Sequence, residues 1–357
     1  MNKRLKQLRI NLGKAGRLPY VISDLKNIRY LTGFTGSAAM LIVTAGDAFF
    51  ISDSRYEEYA RSILPADVKF VLQSGDINLV IKELCRLVDA KELFVEDHLM
   101  PVSAFFELKK VLRGVKLSAG GNETNMLRMV KDDEEVAVLR QAAAITDKCV
   151  KHICSIVKPG MTEWELAVEI DLFYKKQGCR GTSFDTIVAS GTFSSMPHYE
   201  TSMTKKIKSG DVLLIDMGCE YQGYNSDLTR TFFIGSVDSK LRDIYNVVKE
   251  AGRIARESVK PGITAAELDG AARAFIEAAG FGDNFGHGLG HGYGLEIHEL
   301  PSIRKNNDTV LKKNMTITIE PGIYVPGLGG VRIEDMVLVT ASGGESLTKF
   351  SRELIVL

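Results

Sequence analysis

An internal repeat is the feature of this sequence that most constrains its fold. The segment VKPGMTEWEL at 157–166 recurs as VKPGITAAEL at 259–268, an offset of 102 residues. Each copy has a Pro-Gly breaker and a Thr-x-x-Glu capping box, in which the two side chains bind free backbone N–H groups at a helix start. Each copy continues as an amphipathic helical pattern that ends at a glycine, Gly178 or Gly280. The repeat predicts a duplicated domain with equivalent elements in its two halves.

Each half is also predicted to contain two apolar strands around a glycine-containing turn. The two strand pairs lie at 212–234 and at 315–340. When Asp216 is shifted by the repeat offset it falls two residues from Glu320, and Asp227 falls five residues from Glu334. Small insertions account for these gaps, so the four acids are predicted to occupy equivalent places.

The first strand pair is predicted to bring two acids together. If Tyr221 and Gln222 form a two-residue turn, Asp216 and Asp227 become direct cross-strand neighbours, with Cβ atoms roughly 5 Å apart. Like charges in this arrangement are destabilising, and Asp216 interrupts the apolar run VLLI, which is typical of a buried strand. A buried pair of carboxylates requires a shared proton or a cation.

The second strand pair repeats this arrangement. A three-residue loop centred on Gly327 would place Glu320 opposite Glu334. Four carboxylates from two equivalent hairpins then meet near a pseudo-twofold axis. The alternative, that each acid is a solvated charge at a strand end, does not explain their symmetric placement within apolar strands. We therefore interpret the four acids as part of a metal centre.

The histidines are concentrated in one segment. Three of the six lie in NFGHGLGHGYGLEIHELP at 284–301, namely His287, His291 and His298. Glycines surround the first two, which allows close approach to a ligand. His198 is the fourth candidate, because the repeat offset carries it to position 300, beside His298. We predict that these histidines belong to a functional site rather than to the core.

Mostly oxygen donors with one imidazole favour Mn, Co or Fe over a sulfur-bound structural zinc. We expect two divalent metal ions, Mn or Co, with Fe or Zn as the alternatives. Two metals bridged by carboxylates hold a hydroxide between them, and this nucleophile attacks a carbonyl carbon.

The first part of the chain has a different pattern, in which short apolar strands alternate with helices. A hairpin is predicted from 38–44 and 47–53 around an Ala-Gly turn, and a helix is predicted at 77–88. The small, polar segment 117–125 suits a linker, and a long helical pattern follows at 126–157. The predicted domains are 1–120 and 126–357.

Composition excludes several classes of protein. Lys plus Arg and Asp plus Glu number 45 each, so there is no electrostatic reason to expect a nucleic acid or membrane partner. No run approaches the length of a membrane span, and the basic N-terminus lacks the apolar segment of a signal peptide. The five cysteines show no CxxC spacing, which favours free thiols in a cytoplasmic protein.

At these residues the sequence resembles the pita-bread metallopeptidase family (M24), in its proline-specific branch of aminopeptidase P and prolidase. The matching motifs are LLIDMGCEYQGYNSDLTRTF, HGLGHGYGLEIHELP, TIEPGIYVPGLGGVRIEDMVLVT, NIRYLTGFTGSAAMLIV and DSRY. The resemblance implies an α/β N-terminal creatinase-like domain plus an α+β duplicated pita-bread catalytic domain. It also implies a homodimer that hydrolyses Xaa-Pro bonds at the N-terminus of short peptides, by attack of a metal-bridging hydroxide.

The resemblance assigns a role to each metal ligand. It implies that Asp216 binds one metal, that His291 binds the other, and that Asp227 and Glu334 bridge both. Glu320 would bind the second metal and also shuttle a proton from the attacking water to the leaving amine. The substrate length, a dipeptide for a prolidase or a longer peptide for an aminopeptidase P, stays open.

The resemblance also assigns residues around the metals. His198 and His298 look like the histidines that contact substrate and stabilise the tetrahedral intermediate, and His287 looks like a histidine that lines the substrate site. Arg332 resembles an arginine that supports the site electrostatically. The sequence departs from the family at Tyr199 and Glu200, where a small residue usually follows the histidine, and we expect the aromatic ring to narrow a subsite or to gate entry.

Three alternatives compete with this interpretation. A methionine-type aminopeptidase shares the metal ligands, but the 120 or so residues before the catalytic part favour the proline-specific branch. A creatinase-type hydrolase works without metal, which does not explain why all five ligands are present. A catalytically inactive binding protein with this fold has no reason to bury four carboxylates.

Overall fold

The computed structural model describes residues 2–357, in two compact units, one ending at Arg128 and the other spanning Met129–Leu357. The first unit contains a mixed six-stranded sheet of order β4-β3-β2-β1-β5-β6. Its strands are β1 Tyr20–Ile22, β2 Met40–Val43, β3 Ala48–Ser52, β4 Lys69–Leu72, β5 Glu92–Val95 and β6 Lys116–Ala119. Its helices are α1 Lys3–Lys14, α2 Leu25–Thr32, α3 Glu57–Ile63, α4 Ile77–Leu87, α5 Val102–Val111 and α6 Glu123–Arg128.

Two sequence predictions for the first unit are confirmed, and the linker prediction is wrong. Strands β2 and β3 pair antiparallel, with Val43 opposite Ala48, and α4 covers the helical pattern. The segment 117–125, predicted to be a linker, instead contributes most of β6 and the first residues of α6. Its serine and alanine residues fit an edge strand that pairs with β5, so a polar, glycine-containing composition did not prevent regular structure.

The second unit is built from four helices and thirteen strands. Its helices are α7 Asp133–Ile156, α8 Glu163–Lys176, α9 Ser239–Ser258 and α10 Ala265–Ala278. Its first seven strands are β7 Gly181–Thr182, β8 Ile187–Ser190, β9 Val212–Met217, β10 Cys219–Tyr221, β11 Tyr224–Asn225, β12 Leu228–Phe233 and β13 Gly290–Gly292. The remaining strands are β14 Glu299–Ile303, β15 Thr316–Ile319, β16 Gly322–Val325, β17 Gly329–Arg332, β18 Asp335–Val339 and β19 Gly344–Ser346.

The internal repeat is confirmed in three dimensions. Helices α8 and α10 have 14 residues each, and their bounds differ by the repeat offset. Both capping boxes form: Thr162 Oγ1 accepts from Glu165 N–H at 3.1 Å, and Thr264 Oγ1 accepts from Glu267 N–H at 3.1 Å. Each helix packs on a separate hydrophobic core, one formed with α7 and β9, the other with α9 and β15.

The predicted register of the first hairpin is wrong. The turn contains Gln222 and Gly223, with φ of 50° and 86°, rather than Tyr221 and Gln222. A two-residue turn of this kind needs positive φ at both central residues, and glycine supplies it at the lowest cost. Moving the turn by one residue moves every cross-strand partner by two residues, so Asp216 lies opposite Thr229 and not opposite Asp227.

The predicted register of the second hairpin is confirmed. Strands β16 and β17 pair from Gly322 with Arg332 to Val325 with Gly329, around a loop centred on Gly327. Strands β15 and β18, which precede β16 and follow β17 in the chain, pair in the same register. The ladder is interrupted at 320–321 and 333–334, where Glu320 and Glu334 lie opposite each other outside the strands.

None of the helices within residues 2–357 is long and apolar enough to cross a membrane. All five cysteines are free thiols, and four of them are buried. Asp216, His291 and Arg332 lie in strands of the second unit, whereas Asp227, Glu320 and Glu334 lie in interruptions between its strands.

Candidate metal centre

All nine side chains that the sequence singled out line one cavity of about 430 Å³ in the second unit. They are His198, Asp216, Asp227, His287, His291, His298, Glu320, Arg332 and Glu334. Asp227, Arg332 and Glu334 are buried, whereas His198 and His298 are exposed. The cavity therefore has a buried, charged floor and a histidine-lined mouth.

The two acids of the first hairpin reach the floor in different ways. Asp216 projects from β9, and its Oδ2 accepts a hydrogen bond from Arg332 Nη2 at 2.7 Å. Its Oδ1 is buried and has no hydrogen-bond partner. Asp227 lies in the break between β11 and β12, where a Cβ on the facing Gly218 would overlap the carbonyl of Ser226. The close approach at Gly218 lets the chain bend and turns Asp227 into the cavity.

The two acids of the second hairpin are each held by a threonine. Thr229 Oγ1 donates to Glu334 Oε2 at 2.8 Å, and the Glu334 N–H donates to the Thr229 carbonyl at 3.1 Å. Thr318 Oγ1 donates to Glu320 Oε1 at 3.3 Å and accepts from the His291 N–H at 3.0 Å. Because Glu320 lies in the interruption of the ladder, its carboxylate is free to face the acids of the first hairpin.

His291 completes the donor set. Its Nδ1 lies 3.0 Å from the Gly292 carbonyl, which assigns the proton to Nδ1 and leaves the Nε2 lone pair free. Nε2 lies 3.6 Å from Asp227 Oδ2 and 3.5 Å from Glu320 Oε1. Asp227, His291 and Glu334 each offer a ligand atom, and these atoms lie within 4.8 Å of one another.

The glycines around His291 serve a purpose that the sequence did not reveal. We predicted that they allow close approach to a ligand. A Cβ on Gly290 would instead overlap the carbonyl of Thr318, and one on Gly292 would overlap that of Leu300. Glycine at these positions lets β13 pack tightly between β14 and β15, and this packing sets the position of the His291 imidazole.

Electrostatics show why the floor requires cations. Burial raises the pKa of Asp227 and of Glu334 well above their usual range, and repulsion among the acids adds to the effect. Burial also raises the pKa of Glu320 to about 8. Burial lowers the pKa of His291, so its imidazole is neutral and able to ligate. Four clustered carboxylates, an orphaned buried oxygen on Asp216 and a neutral imidazole fit divalent metal ions.

Arg332 links the floor to His287. Its Nη1 donates to the Tyr324 hydroxyl at 2.8 Å, and that hydroxyl lies 3.0 Å from His287 Nε2. The other ring nitrogen of His287 lies 2.7 Å from the Gly288 carbonyl. Burial lowers the pKa of His287 to about 4, so the ring is neutral and accepts the Tyr324 proton at Nε2. Arg332 is thus bound to Asp216 on one side and fixes His287 on the other.

The mouth of the cavity carries the two remaining histidines. The ring of His298 packs edge to face on that of His291, with centroids 4.5 Å apart. His198 follows the short 3₁₀ turn at 191–195. Tyr199 does not narrow this cavity, because its ring is absent from the cavity lining and stacks on Phe193, with centroids 5.4 Å apart. The alternative, that this ring gates entry, stays a prediction.

Sequence reasoning missed Thr229, Thr318 and Tyr324, which orient the predicted residues. A signal for two of them was present. Thr229 lies two residues after Asp227 and Thr318 two residues before Glu320, and alternate residues of a strand share a face. A threonine two positions from a buried acid in an apolar strand indicates a supporting hydroxyl. Nothing in the pattern distinguished Tyr324 from a core tyrosine.

Comparisons with known proteins identify the family of each part of the chain. Residues 137–341 match Metallopeptidase family M24, and residues 4–130 match the Creatinase/Prolidase N-terminal domain. The chain is 49% identical over 334 residues to an Xaa-Pro dipeptidase of Pyrococcus furiosus, covering 92% of each chain.

Solved structures show the same likeness. An Xaa-Pro dipeptidase from Bacillus anthracis superposes with a TM-score of 0.97, at 38% identity and with 99% of each chain covered. An X-Pro aminopeptidase from Thermotoga maritima MSB8 superposes with a TM-score of 0.87, at 35% identity, covering 96% of this chain and 98% of that one. The chain with its carboxylate-lined cavity therefore belongs to metallopeptidase family M24, and it carries the creatinase/prolidase N-terminal domain.

Proposed function

We propose that this metallopeptidase hydrolyses the Xaa-Pro bond of dipeptides. The observation that carries the proposal is the convergence of four carboxylates and His291 on one cavity whose mouth presents His198 and His298. The names of the similar proteins support the proline-specific branch, since the Pyrococcus furiosus and Bacillus anthracis relatives are both Xaa-Pro dipeptidases.

The proposed metal ligands are the five donors of the floor, and the ions are Mn or Co, since oxygen donors with one imidazole suit both. They are Asp216, Asp227, His291, Glu320 and Glu334. Two divalent ions bound there would acidify a water molecule and polarise the scissile carbonyl. Thr229 and Thr318 hold the carboxylates of Glu334 and Glu320, and Arg332 holds that of Asp216.

Glu320 is the proposed proton carrier. Its Oε1 lies 3.5 Å from His291 Nε2, beside the other proposed ligands, where a carboxylate can act as a general base toward a bound water. It would accept a proton from the attacking water and deliver it to the proline nitrogen as the bond breaks. His198 and His298, which line the same cavity, would donate to the developing oxyanion of the substrate.

The chemistry of the bond explains why proline is a sensible substrate. An Xaa-Pro bond is a tertiary amide without an N–H, so a peptidase that must hydrogen-bond the scissile nitrogen finds no donor. A site that acts on the carbonyl and on the water has no such requirement. The cavity of about 430 Å³ is of the size that suits a small ligand.

A second candidate is an aminopeptidase that removes the first residue from longer Xaa-Pro peptides. The observation that favours it is the likeness to the X-Pro aminopeptidase from Thermotoga maritima, which extends over nearly the whole of both chains. The two activities differ only in how far the substrate extends beyond proline.

A peptide length series tests both candidates. The purified protein is treated with a chelator, reloaded with Mn or with Co, and assayed on Ala-Pro, Ala-Pro-Ala and Ala-Pro-Ala-Ala, with Ala-Ala and Met-Ala-Ala as controls. We expect Ala-Pro to have the highest kcat/KM and the chelated protein to be inactive. Preferential cleavage of the longer peptides would establish the aminopeptidase, and preferential cleavage of Met-Ala-Ala would contradict the proline-specific proposal.

The cytoplasmic location and the homodimer also stay predictions. The free state of all five cysteines supports the first of these. Sedimentation of the purified protein would test the second.

A further inference from the structure

A buried acid outside the metal centre has no counterpart in the other half of the repeat. Glu163 is the first residue of α8 and has no exposed surface. The repeat offset carries it to Ala265, the first residue of α10, which is equally buried. The backbones are alike, since the Glu163 N–H donates to the Lys205 carbonyl and the Ala265 N–H donates to the Thr309 carbonyl. The fold therefore does not require a carboxylate at this position.

The Glu163 carboxylate gathers hydrogen bonds from the segments before and after His198. Ser190 donates to Oε1 through its N–H at 2.9 Å and its hydroxyl at 2.7 Å. Tyr199 donates its hydroxyl to Oε2 at 2.9 Å, and the Ser202 N–H donates to the same atom at 3.2 Å. Lys205 Nζ lies 3.3 Å from Oε1 and balances the charge. One carboxylate thus ties together both ends of the segment 190–202.

His198 lies within this segment and has an anchored neighbour on each side. The preceding residue, Pro197, accepts a hydrogen bond at its carbonyl from Arg332 Nη1 at 3.4 Å. The following residue, Tyr199, reaches Glu163. The imidazole itself is exposed and makes no hydrogen bond within the described structure that would fix it. The orientation of His198 is therefore set by its two neighbours.

We propose that Glu163, acting through Tyr199, is a positioning residue that holds His198 over the metal centre. The catalytic part of this inference rests on the proposed function. Tyr199, which replaces the small residue expected after the histidine, is the outer anchor of the loop, and Arg332 is the inner anchor.

The surroundings of Tyr199 suit an anchor. Burial and the neighbouring Glu163 carboxylate raise the pKa of Tyr199 to about 12, so its hydroxyl stays protonated and donates. Its ring stacks on Phe193, and Lys205 Nζ lies 5.2 Å from the centroid of the same Phe193 ring. Neither ring contact involves the Tyr199 hydroxyl, so we expect both to persist in Tyr199→Phe.

The central experiment compares Tyr199→Phe and Glu163→Gln with a matched control, Glu165→Gln. Glu165 belongs to the same helix end, and within residues 2–357 its side chain hydrogen-bonds to its own capping box and not to the segment 190–202. With Ala-Pro as substrate, we expect Tyr199→Phe to lower kcat about tenfold with KM changed less than about twofold, because a contact that orients a transition-state donor affects kcat. We expect Glu165→Gln to leave kcat within about twofold of the wild type.

A double-variant cycle shows whether the effect passes through His198. In the His198→Ala background the imidazole that Tyr199 orients is absent, so adding Tyr199→Phe should lower kcat no further. Multiplicative losses of kcat in His198→Ala/Tyr199→Phe would overturn the proposal, since they would show that Tyr199 acts independently of His198.

Hydrogen–deuterium exchange separates this inference from the proposed function. Faster exchange over 190–202 is expected in Tyr199→Phe and not in Glu165→Gln, whatever peptide the enzyme cleaves. Unchanged exchange in Tyr199→Phe would overturn the anchor even if Xaa-Pro activity is found. Faster exchange without any Xaa-Pro activity in the wild type would uphold the anchor and contradict only the proposed function. Because Tyr199→Phe removes a single oxygen, the test does not depend on Glu163→Gln folding.

Discussion

Helices α8 and α10 have the same length and the same capping box, but they hold their histidine-bearing loops by different contacts. In α8 the first residue, Glu163, binds the segment that contains His198. In α10 the contacts come from the middle of the helix, through Asp269 and Arg273. The duplication therefore preserved the scaffold while each half acquired its own attachment to the site.

The α10 contacts form a buried clamp. Arg273 Nε lies 2.7 Å from Asp269 Oδ2, and the guanidinium also donates to the carbonyls of Phe285 at 3.0 Å and His287 at 2.7 Å. Asp269 Oδ1 accepts from the Leu289 N–H at 3.0 Å. Under the repeat offset, the residue of α8 equivalent to Arg273 is Asp171, which forms an exposed ion pair with Lys175. The same position thus supports a buried clamp in one half and a surface pair in the other.

The hairpins differ in the same way. One of the two acids of the first hairpin, Asp216, forms an ion pair with Arg332 of the second hairpin. Glu320 and Glu334 are supported by threonine hydroxyls and have no arginine within ion-pair distance in the described structure. The site is therefore asymmetric: one arginine of the second hairpin pairs with one acid of the first hairpin, and the two acids of the second hairpin have no such partner.

The largest expected effect is the decrease in kcat when the proposed proton carrier, Glu320 of the second hairpin, is replaced. Glu320→Gln should lower kcat for Ala-Pro by about 10²–10⁴-fold, the usual contribution of general acid–base catalysis. Steady-state kinetics with added Mn measures this, and Glu165→Gln serves as a folding control. If kcat of Glu320→Gln fell less than about tenfold, Glu320 would not be the proton carrier.

The ion pairs formed by Arg273 and by its repeat equivalent, Asp171, should differ strongly in their contribution to stability. Arg273→Leu leaves Asp269 buried and unpaired, so it should lower the free energy of unfolding by about 3–5 kcal/mol. Lys175→Ala breaks an exposed pair and should change it by less than about 1 kcal/mol. Urea unfolding of both variants measures the contrast. Equal losses would show that burial does not distinguish the two halves.

Stability of the metal-free protein should depend on pH through the second hairpin. The pKa of Glu320 is raised from its ordinary value of 4.5 to about 8, so the folded protein keeps a proton that the unfolded chain releases. This contribution to stability is present at low pH and is lost as the pH rises through about 8, with a slope of at most about 1.4 kcal/mol per pH unit.

Thermal unfolding of the chelated protein between pH 5 and pH 8.5 measures this slope. Glu320→Gln should make the slope shallower and leave the part due to Asp227 and Glu334, whose pKa values burial also raises. Glu267→Gln should leave the slope unchanged, because the hydrogen bonds of its capping box lower the pKa of Glu267. Added Mn should reverse the trend, since metal binds the deprotonated carboxylates. A rise in the stability of the chelated wild type with pH would contradict the assignment.

The smallest expected effect is the loss of stability when a capping threonine is replaced, and it should be the same in the two halves of the repeat. Thr162→Ala and Thr264→Ala each remove one capping hydroxyl, and each should lower the free energy of unfolding by about 1 kcal/mol. The two losses should match within about 0.5 kcal/mol, because the caps have the same geometry. Urea unfolding of the single variants checks this, and a loss at only one site would show that the repeat is equivalent in form but not in energy.

Predictions from the sequence succeeded where a local signal was sufficient. The capping boxes of α8 and α10 depend on residues three apart, and the loop centred on Gly327 fixed the register of the second hairpin. The first hairpin failed because two adjacent dipeptides competed for the turn, and the choice depended on the positive φ that Gly223 accommodates. Tyr199 was misplaced because a side chain next to a site residue points in a direction that depends on distant packing.

The repeat, the helix starts at its capping boxes, the four acids and the histidine cluster could be predicted from the residues alone, since repeats, caps and buried charges leave local marks; Arg332 was predicted only from the family resemblance. The folded structure was needed to show which acid pairs with the arginine, which glycines admit a neighbouring strand and which residues anchor each loop. Those contacts join residues such as Glu163 and Tyr199, or Arg332 and Asp216, that lie far apart in the chain. Their geometry arises when the elements within a half and the two halves pack together, and no spacing in the sequence encodes it.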